Sequence, residues 1–278
     1  MVSIITPAYN RQNFIAEAIQ SVINQTWTGW EMIIIDDGST DNTVQIVKEF
    51  IRTDRRIKLL FRTRDPKGAA TCRNIGIEHA SGDYIIFLDS DDLLRPFALE
   101  QRLRAFRKFP HADFLVFQTE KFHGTPGNII GIWNMPDATP DILRFLNADS
   151  PWHTSGPIWR AEAIHKHNLR FDEKLLLWQD VDFHLQALIK GLNYRFMSTY
   201  PADVLYRIHT DTISQRGYSY KQRRSQIYFI RKYFTILKDN VQARSILNHK
   251  ASVLLKKNLK SRYWDNTLSL ILWKIFKQ

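Results

Sequence analysis

The chain has 278 residues, 44% of them hydrophobic and 13% aromatic, with a formal net charge of +11. That length suits one large domain or a domain with an appendage, and the single cysteine, Cys72, excludes an intrachain disulfide and a cysteine-based zinc site and suits a reducing compartment. No apolar run approaches the ~20 residues needed to span a bilayer, and the opening MVSIITPAYN lacks the basic flank of a signal peptide, so a soluble or surface-bound intracellular protein is expected.

In chain order, strand-like runs at 2–6 (VSIIT), 31–36 (EMIIID), 57–61 (IKLLF), 84–88 (YIIFL) and 113–117 (DFLVF) alternate with segments of helical spacing at 13–26, 42–52, 69–80 and 96–109. Nearly continuous apolar strands between helices predict an α/β fold with a mostly parallel sheet covered on both faces. Residues 119–150 are rich in Gly and Pro and read as loops. Residues 151–215 carry PWHTSGPIWR, FDEKLLLWQDVDFHLQAL and YRIHTDTIS, and 216–278 reads as helices rich in Lys, Arg, Tyr and Trp. The charge divides at the same boundary. Residues 216–278 hold 15 Lys and Arg against two acids, Asp239 and Asp265, while the first 215 residues hold 24 basic and 26 acidic side chains.

In a parallel sheet ligands bind beyond the carboxyl ends of the strands. Three strands end in polar groups: Thr6-Pro7-Ala8-Tyr9-Asn10 after the first, Asp36-Asp37-Gly38-Ser39 after the second, Asp89-Ser90-Asp91-Asp92 after the fourth. Neither G-x-G-x-x-G nor G-x-x-x-x-G-K-[ST] is present, so a Gly-rich phosphate loop is not expected. Two carboxylates ~4 Å apart repel by about 4 kcal/mol at an effective dielectric near 20. Capping the next helix needs one of the three acids, and a hard divalent cation with a diphosphate would relieve the rest. Asp36 or Asp37 is placed to accept hydrogen bonds from a base imide or a ribose hydroxyl, and Tyr9 offers a flat face for a base.

The segment VSIITPAYNRQNFIAEAIQSVINQTWTGWEMIIIDDGSTDNT, joined to GAATCRNIGIEHASGDYIIFLDSDD and followed by FDEKLLLWQD and YRIHTDTIS, resembles family 2 glycosyltransferases of the GT-A fold over about residues 1–215. The resemblance implies a GT-A, Rossmann-like catalytic domain at 1–215. Its nucleotide-sugar half is 1–118 and its acceptor half 119–215, with a basic helical tail at 216–278. It implies that Pro7, Ala8, Tyr9 and Asp37 contact a base, most often uracil, with Asp36 nearby. Lys67, Gly68 and Arg73 would lie beside the sugar and diphosphate, Asp89 would face the ribose with Ser90 also binding the donor, and Asp91 would bind Mg²⁺ or Mn²⁺ bridging the two phosphates. His209 matches a position that adds a ligand to the metal or diphosphate, and Arg207 would neutralise phosphate charge as the nucleotide leaves.

Val181, Leu185 and Leu188 mark the buried stripe of a helix, which puts Asp180 in its first turn, where the dipole favours a negative charge. The family usually has Glu-Asp here; this chain has Gln179-Asp180. Asp180 is then the expected base that removes the acceptor hydroxyl proton, with Asp182 as the fallback. Trp152, His153 and Trp178 are expected to face the acceptor, together with Gln179. The Gln-x-x-Arg-Trp motif and membrane helices of processive synthases do not occur, so addition of one sugar is expected. The expected donor is a UDP-sugar and the acceptor a glycan or lipid-linked oligosaccharide hydroxyl. For the tail, 227–237 and 268–276 are apolar pieces among Lys and Arg, and an amphipathic segment on an anionic membrane is expected, the other reading being helices packed on the catalytic domain. Nucleic acid is not an expected partner. The competing functions are a sugar nucleotidyltransferase, whose Gly-rich loop after the first strand is missing, and a catalytically silent nucleotide-sugar-binding module.

Overall fold

A computed structural model describes residues 1–133, 135–208, 219–261 and 263–275. The chain runs β1 (Val2–Ala8), α1 (Ile15–Ile23), β2 (Trp30–Asp36), α2 (Thr43–Thr53), β3 (Ile57–Phe61), α3 (Ala69–His79), β4 (Tyr84–Phe87), β5 (Leu93–Leu94) and α4 (Ala98–Lys108). It continues through β6 (Phe114–Val116), β7 (Thr119–His123), β8 (Ile129–Ile132), α5 (Asp141–Leu146), β9 (Pro157–Arg160), α6 (Ala161–Lys166), α7 (Gln179–Ile189), β10 (Tyr194–Phe196) and β11 (Val204–Ile208). Helices α8 (Tyr220–Ile236), α9 (Val241–Lys260) and α10 (Trp264–Ile275) follow.

The five expected strands are β1, β2, β3, β4 and β6, and the four expected helices are α1 to α4. With β9 and β10 the five strands form a seven-stranded sheet in the order β10-β6-β9-β4-β1-β2-β3. The pairs β1–β2, β1–β4, β2–β3 and β6–β10 are parallel, whereas β9 runs antiparallel between β4 and β6. Every residue of β1 and β2 is buried. Successive side chains of a strand point to opposite faces, so Ile5, Ile33, Ile35 and Ile85 enter one core and Ile4, Met32, Ile34 and Ile86 the other. Gly76 lets α3 lie close on the first of these faces: a Cβ there would stand 2.3 Å from Cγ2 of Ile5. A small second sheet, β5-β11-β7-β8, lies outside the main one. Arg102 on α4 and Asp203 before β11, both without solvent exposure, are joined by two hydrogen bonds of 2.7 and 2.9 Å.

The tail shares the core of the sheet. Ile227, Phe229, Ile230, Tyr233, Phe234, Leu247, Leu254 and Leu270 belong to the same buried cluster as Phe87 and Trp159. Apart from the exposed Ile236, the apolar residues of 227–237 thus pack inward, and residue 216 marks a change of charge rather than a break in packing. Among the described residues no helix is long and apolar enough to cross a membrane.

Candidate active site

Because β1, β2 and β4 are parallel, their carboxyl ends open on one side. Ala8 pairs with Asp36, the Asp37 N–H donates to Ala8 O, and the Leu88 N–H donates to Ile5 O. The loops after these strands therefore meet. Asp36 Oδ2 accepts from the N–H groups of Gly38 and Ser39, both at 2.9 Å, which holds the turn; its buried Oδ1 has no partner among the described residues. Asp37 Oδ1 accepts from Arg62 Nε at 2.7 Å and from the Gly68 N–H at 3.3 Å. Gly68 holds this position at φ +149°, a conformation that favours glycine. Tyr9 is exposed, and Lys67 Nζ lies 3.5 Å from its ring centre, over the face on which a base could stack. Pro7, Ala8 and Ser90 are buried at the same edge.

The acids after β4 divide into unequal environments. Asp92 is 1% exposed; its Oδ1 accepts from the Arg207 N–H, and its Oδ2 has no hydrogen-bond partner among the described residues. Burial, then the like charges of Asp91 and Asp89, push the Asp92 carboxyl well above the usual range. Asp89 is also desolvated, but Arg73 outweighs this, with help from His153, and holds its carboxyl below the usual range. Arg73 is buried, donating to Asp89 Oδ1 at 2.5 Å, and is no surface cation. Asp91 is more open, with Arg11 Nε 3.6 Å from its Oδ2. His153 completes the group. Its Nδ1 accepts from the Ser155 N–H, 3.3 Å away, and lies 3.7 Å from Asp92 Oδ2, while its Nε2 lies 4.0 Å from Asp89 Oδ2. Burial lowers the His153 pKa against the upward pull of Asp89, Asp180 and Asp91.

One ligand atom from each of Asp89, Asp92 and His153 falls within 4.8 Å of the others. Two carboxylates and an imidazole, one carboxylate oxygen being buried without a hydrogen-bond partner among the described residues, suit a hard divalent cation. His209 lies outside the described residues. Arg207 is fully engaged. Nη2 donates to Glu17, Nε to the carbonyl of Asp91 and Nη1 to that of Gly124, so its guanidinium fixes the acid loop from behind.

The second half brings in α7. Asp180 Oδ2 lies 3.3 Å from Thr154 Oγ1, and its charge acts on His153 and Tyr206, which places it beside the acid cluster. Asp182 faces the other way, being wholly buried, where it accepts from Tyr233 Oη, Gln186 Nε2 and Lys232 Nζ. Lys232 also reaches Asp172 at 2.8 Å, and Ser225 Oγ accepts the Leu176 N–H. Helix α8 of the tail thereby grips 172–182, the segment that carries Trp178, Gln179 and Asp180. Trp178 caps α7 at φ 61° with its ring on Phe229, and Gln179 Oε1 is buried with no hydrogen-bond partner among the described residues. Trp152 is not at an acceptor face: it is packed among Phe114, Phe145 and Tyr194, and an aromatic of that size gains more by burial. His153 alone of that pair faces the acids.

Four site residues carry no expectation above. Arg62, at the carboxyl end of β3, and Arg11, after β1, could have been found by the rule that found the acids. Trp133 packs on His153 and Tyr206 with ring centres 5.1 Å away in each case, and Thr154 holds Asp180; both sit on loops without a sequence signal.

The profile described as "Glycosyl transferase family 2" matches residues 3–159, more than half of the chain. The chain belongs to glycosyl transferase family 2. An uncharacterised glycosyltransferase of Haemophilus influenzae is 32% identical to this family member over 222 residues, 77% of this chain and 67% of the relative. An Escherichia coli protein named UDP-Glc:alpha-D-GlcNAc-diphosphoundecaprenol beta-1,3-glucosyltransferase WfgD is 45% identical over 108 residues, 39% of this chain and 42% of that one. Among solved structures, the mannosyltransferase PcManGT of Pyrobaculum calidifontis in complex with GDP-Man and Mn²⁺ superimposes with a TM-score of 0.61 at 17% identity. It covers 99% of this chain and 81% of its own, a likeness of fold. Curated relatives are longer than the matched region, which spans 27% of one and 70% of another.

Proposed function

We propose that this family 2 glycosyltransferase moves a single sugar from a UDP-linked donor to a hydroxyl of a glycan or lipid-linked oligosaccharide. The transfer inverts the anomeric carbon and takes place at a membrane surface, in polysaccharide, lipopolysaccharide or capsule assembly. The observation that carries the reading is the meeting of Asp89, Asp92 and His153 with Asp180 at the open end of the parallel strands. The named activity of WfgD, which uses UDP-Glc and a polyprenyl-diphosphate acceptor, favours the same donor and acceptor classes.

In this reading Tyr9 stacks on the uracil, Lys67 moves from the Tyr9 ring towards the diphosphate, and Asp37, oriented by Arg62 and Gly68, accepts from the base. Asp36 holds the turn behind it. Asp89 and Ser90 meet the ribose, and Arg73 sets the Asp89 carboxylate. Asp89, Asp92 and His153, with Asp91 beside them, would hold Mg²⁺ or Mn²⁺, as the Mn²⁺ of the mannosyltransferase makes reasonable; when bound, the cation offsets charge on the departing diphosphate. Asp180 orients the acceptor hydroxyl and takes its proton as that oxygen attacks the anomeric carbon. Thr154 holds the carboxylate, while Trp133 and Trp178 flank the acceptor space. Buried Asp182 takes no part.

Incubation with nucleotide sugars, Mn²⁺ and an acceptor library should release UDP. Asp180→Asn should keep donor affinity and lose transfer by about 10²–10⁴-fold. Release of pyrophosphate would indicate nucleotidyl transfer, no release with any acceptor would indicate a silent binding module, and full transfer by Asp180→Asn would remove Asp180 as the base.

A further inference from the structure

Helix α10 is apolar on two sides. One side is used: Leu270 is wholly buried in the core and Trp273 packs edge-on against Phe234 with ring centres 5.3 Å apart. The other side carries Trp264, Leu268 and Ile271, which at spacings of four and three share one helical stripe. They are 63%, 57% and 37% exposed. No element among the described residues covers them.

The neighbourhood of this stripe is cationic. Lys256, Lys257 and Lys260 are exposed on the last turns of α9, next to the short α9–α10 corner, where Leu259 is exposed as well. The start of α8 is tied to the same corner, since the Asn266 side chain donates to Tyr220 O and the Tyr220 ring meets Tyr263. That contact brings in Lys221 and Arg224, both exposed. None of these five cations has an acidic partner among the described residues. Of the tail's two acids, Asp265 alone lies at the corner.

We infer that the α9–α10 corner, with the Trp264–Leu268–Ile271 stripe at its centre, docks on an anionic lipid bilayer. The exposed apolar row enters the headgroup boundary, Trp264 sits at the interface where indole rings concentrate, and the surrounding Lys and Arg meet lipid phosphates. A second copy of the chain fits worse, because a self-complementary contact would set five like charges against five. The inference gives a location to the membrane placement proposed above and does not depend on sugar transfer.

The test is flotation of the full chain with vesicles of phosphatidylglycerol and phosphatidylcholine, beside vesicles of phosphatidylcholine alone. Each cation near an anionic surface contributes about fivefold to partitioning, so the triple change Lys256→Gln, Lys257→Gln, Lys260→Gln should weaken binding roughly a hundredfold. Trp264→Ala with Leu268→Ala should weaken it at least about tenfold. All changed side chains are exposed, and UDP-dependent thermal stabilisation, measured on the same samples, should stay at the wild-type level. Wild-type protein that floats with neither vesicle, or variants that float as well as wild type, overturn the inference. A wild-type dimer in sedimentation that the Trp264/Leu268 change dissolves would overturn it too, by giving the face to a second copy. UDP release with a water-soluble acceptor is scored separately, so failure of the sugar-transfer reading leaves the flotation result standing, and the reverse.

Discussion

Lys232→Met tests the link between the tail and the catalytic segment. The ammonium lies 2.8 Å from Asp172 and 2.6 Å from Asp182, and Asp182 has no solvent contact. Removing one partner of a buried pair typically costs 3–5 kcal/mol, because the other charge is left uncompensated. The Lys232 side chain is 21% exposed, and Asp182 keeps its hydrogen bonds from Tyr233 and Gln186. The low end, about 3 kcal/mol near pH 8, is therefore expected. With a urea slope of about 3 kcal/mol/M, the midpoint should fall by about 1 M. The penalty is a charge penalty and must depend on pH. Burial already raises the Asp182 carboxyl above 3.8 against the pull of Lys232, and without Lys232 it rises further. A carboxyl whose folded pKa is raised weakens the fold above that pKa, and the penalty fades as pH falls towards the unfolded value. The gap between wild type and variant should accordingly narrow from pH 8 to about pH 4, and adding Asp182→Asn should restore most of the loss at pH 8. Transfer should drop in the single variant while donor affinity holds, because α8 anchors the segment that bears Asp180 and not the nucleotide loops. A loss below about 1 kcal/mol at pH 8, or a gap that does not change with pH, would refute the bridging role.

Two further perturbations follow from the core. Glu31 accepts hydrogen bonds from Ser3, Ser81 and Lys58; burial pushes its carboxyl up, but these partners prevail and hold it at about 2 against an ordinary 4.5. That depression stabilises the fold by about 3 kcal/mol above the unfolded pKa and is lost as pH falls through about 2. Urea unfolding of Glu31→Gln should lag wild type by about 3 kcal/mol at pH 6 and by about half that at pH 3, and an equal lag at both would contradict the assignment. Gly76→Ala sets a Cβ 2.3 Å from Ile5 and should cost about 1–3 kcal/mol. A melting temperature equal to wild type would mean that α3 has room to shift.

Much of the catalytic half could be read from the sequence, because buried parallel strands are long apolar runs and the carboxyl-end rule then selects the loops. Tyr9, Asp36, Asp37 and the acids after β4 were found that way. The rule stops at residues that reach the site through pairing invisible in one dimension. Strand β9 is four residues, PIWR, with no period to betray it; its antiparallel insertion beside β4 is what brings His153 to Asp89 and Asp92. Asp180 and Asp182 could have been separated in advance. Residues two positions apart on an α-helix are about 200° apart, so one carboxylate facing the crevice leaves the other facing α8. The tail misleads for a different reason. Its apolar residues suit a membrane or a protein core equally, and only the contacts show that Phe229 and Tyr233 pack inward while Trp264 and Leu268 stay open.

If the acids after β4 form a cation site completed by a diphosphate, UDP affinity must depend on the metal. Calorimetric titration of UDP into the protein with Mn²⁺, and again after chelation of all divalent ions, tests it most directly. UDP binding should be strong with the metal and should collapse on chelation, and Asp91→Ala should bind UDP weakly in both conditions. UDP affinity that is unchanged by chelation would contradict the account.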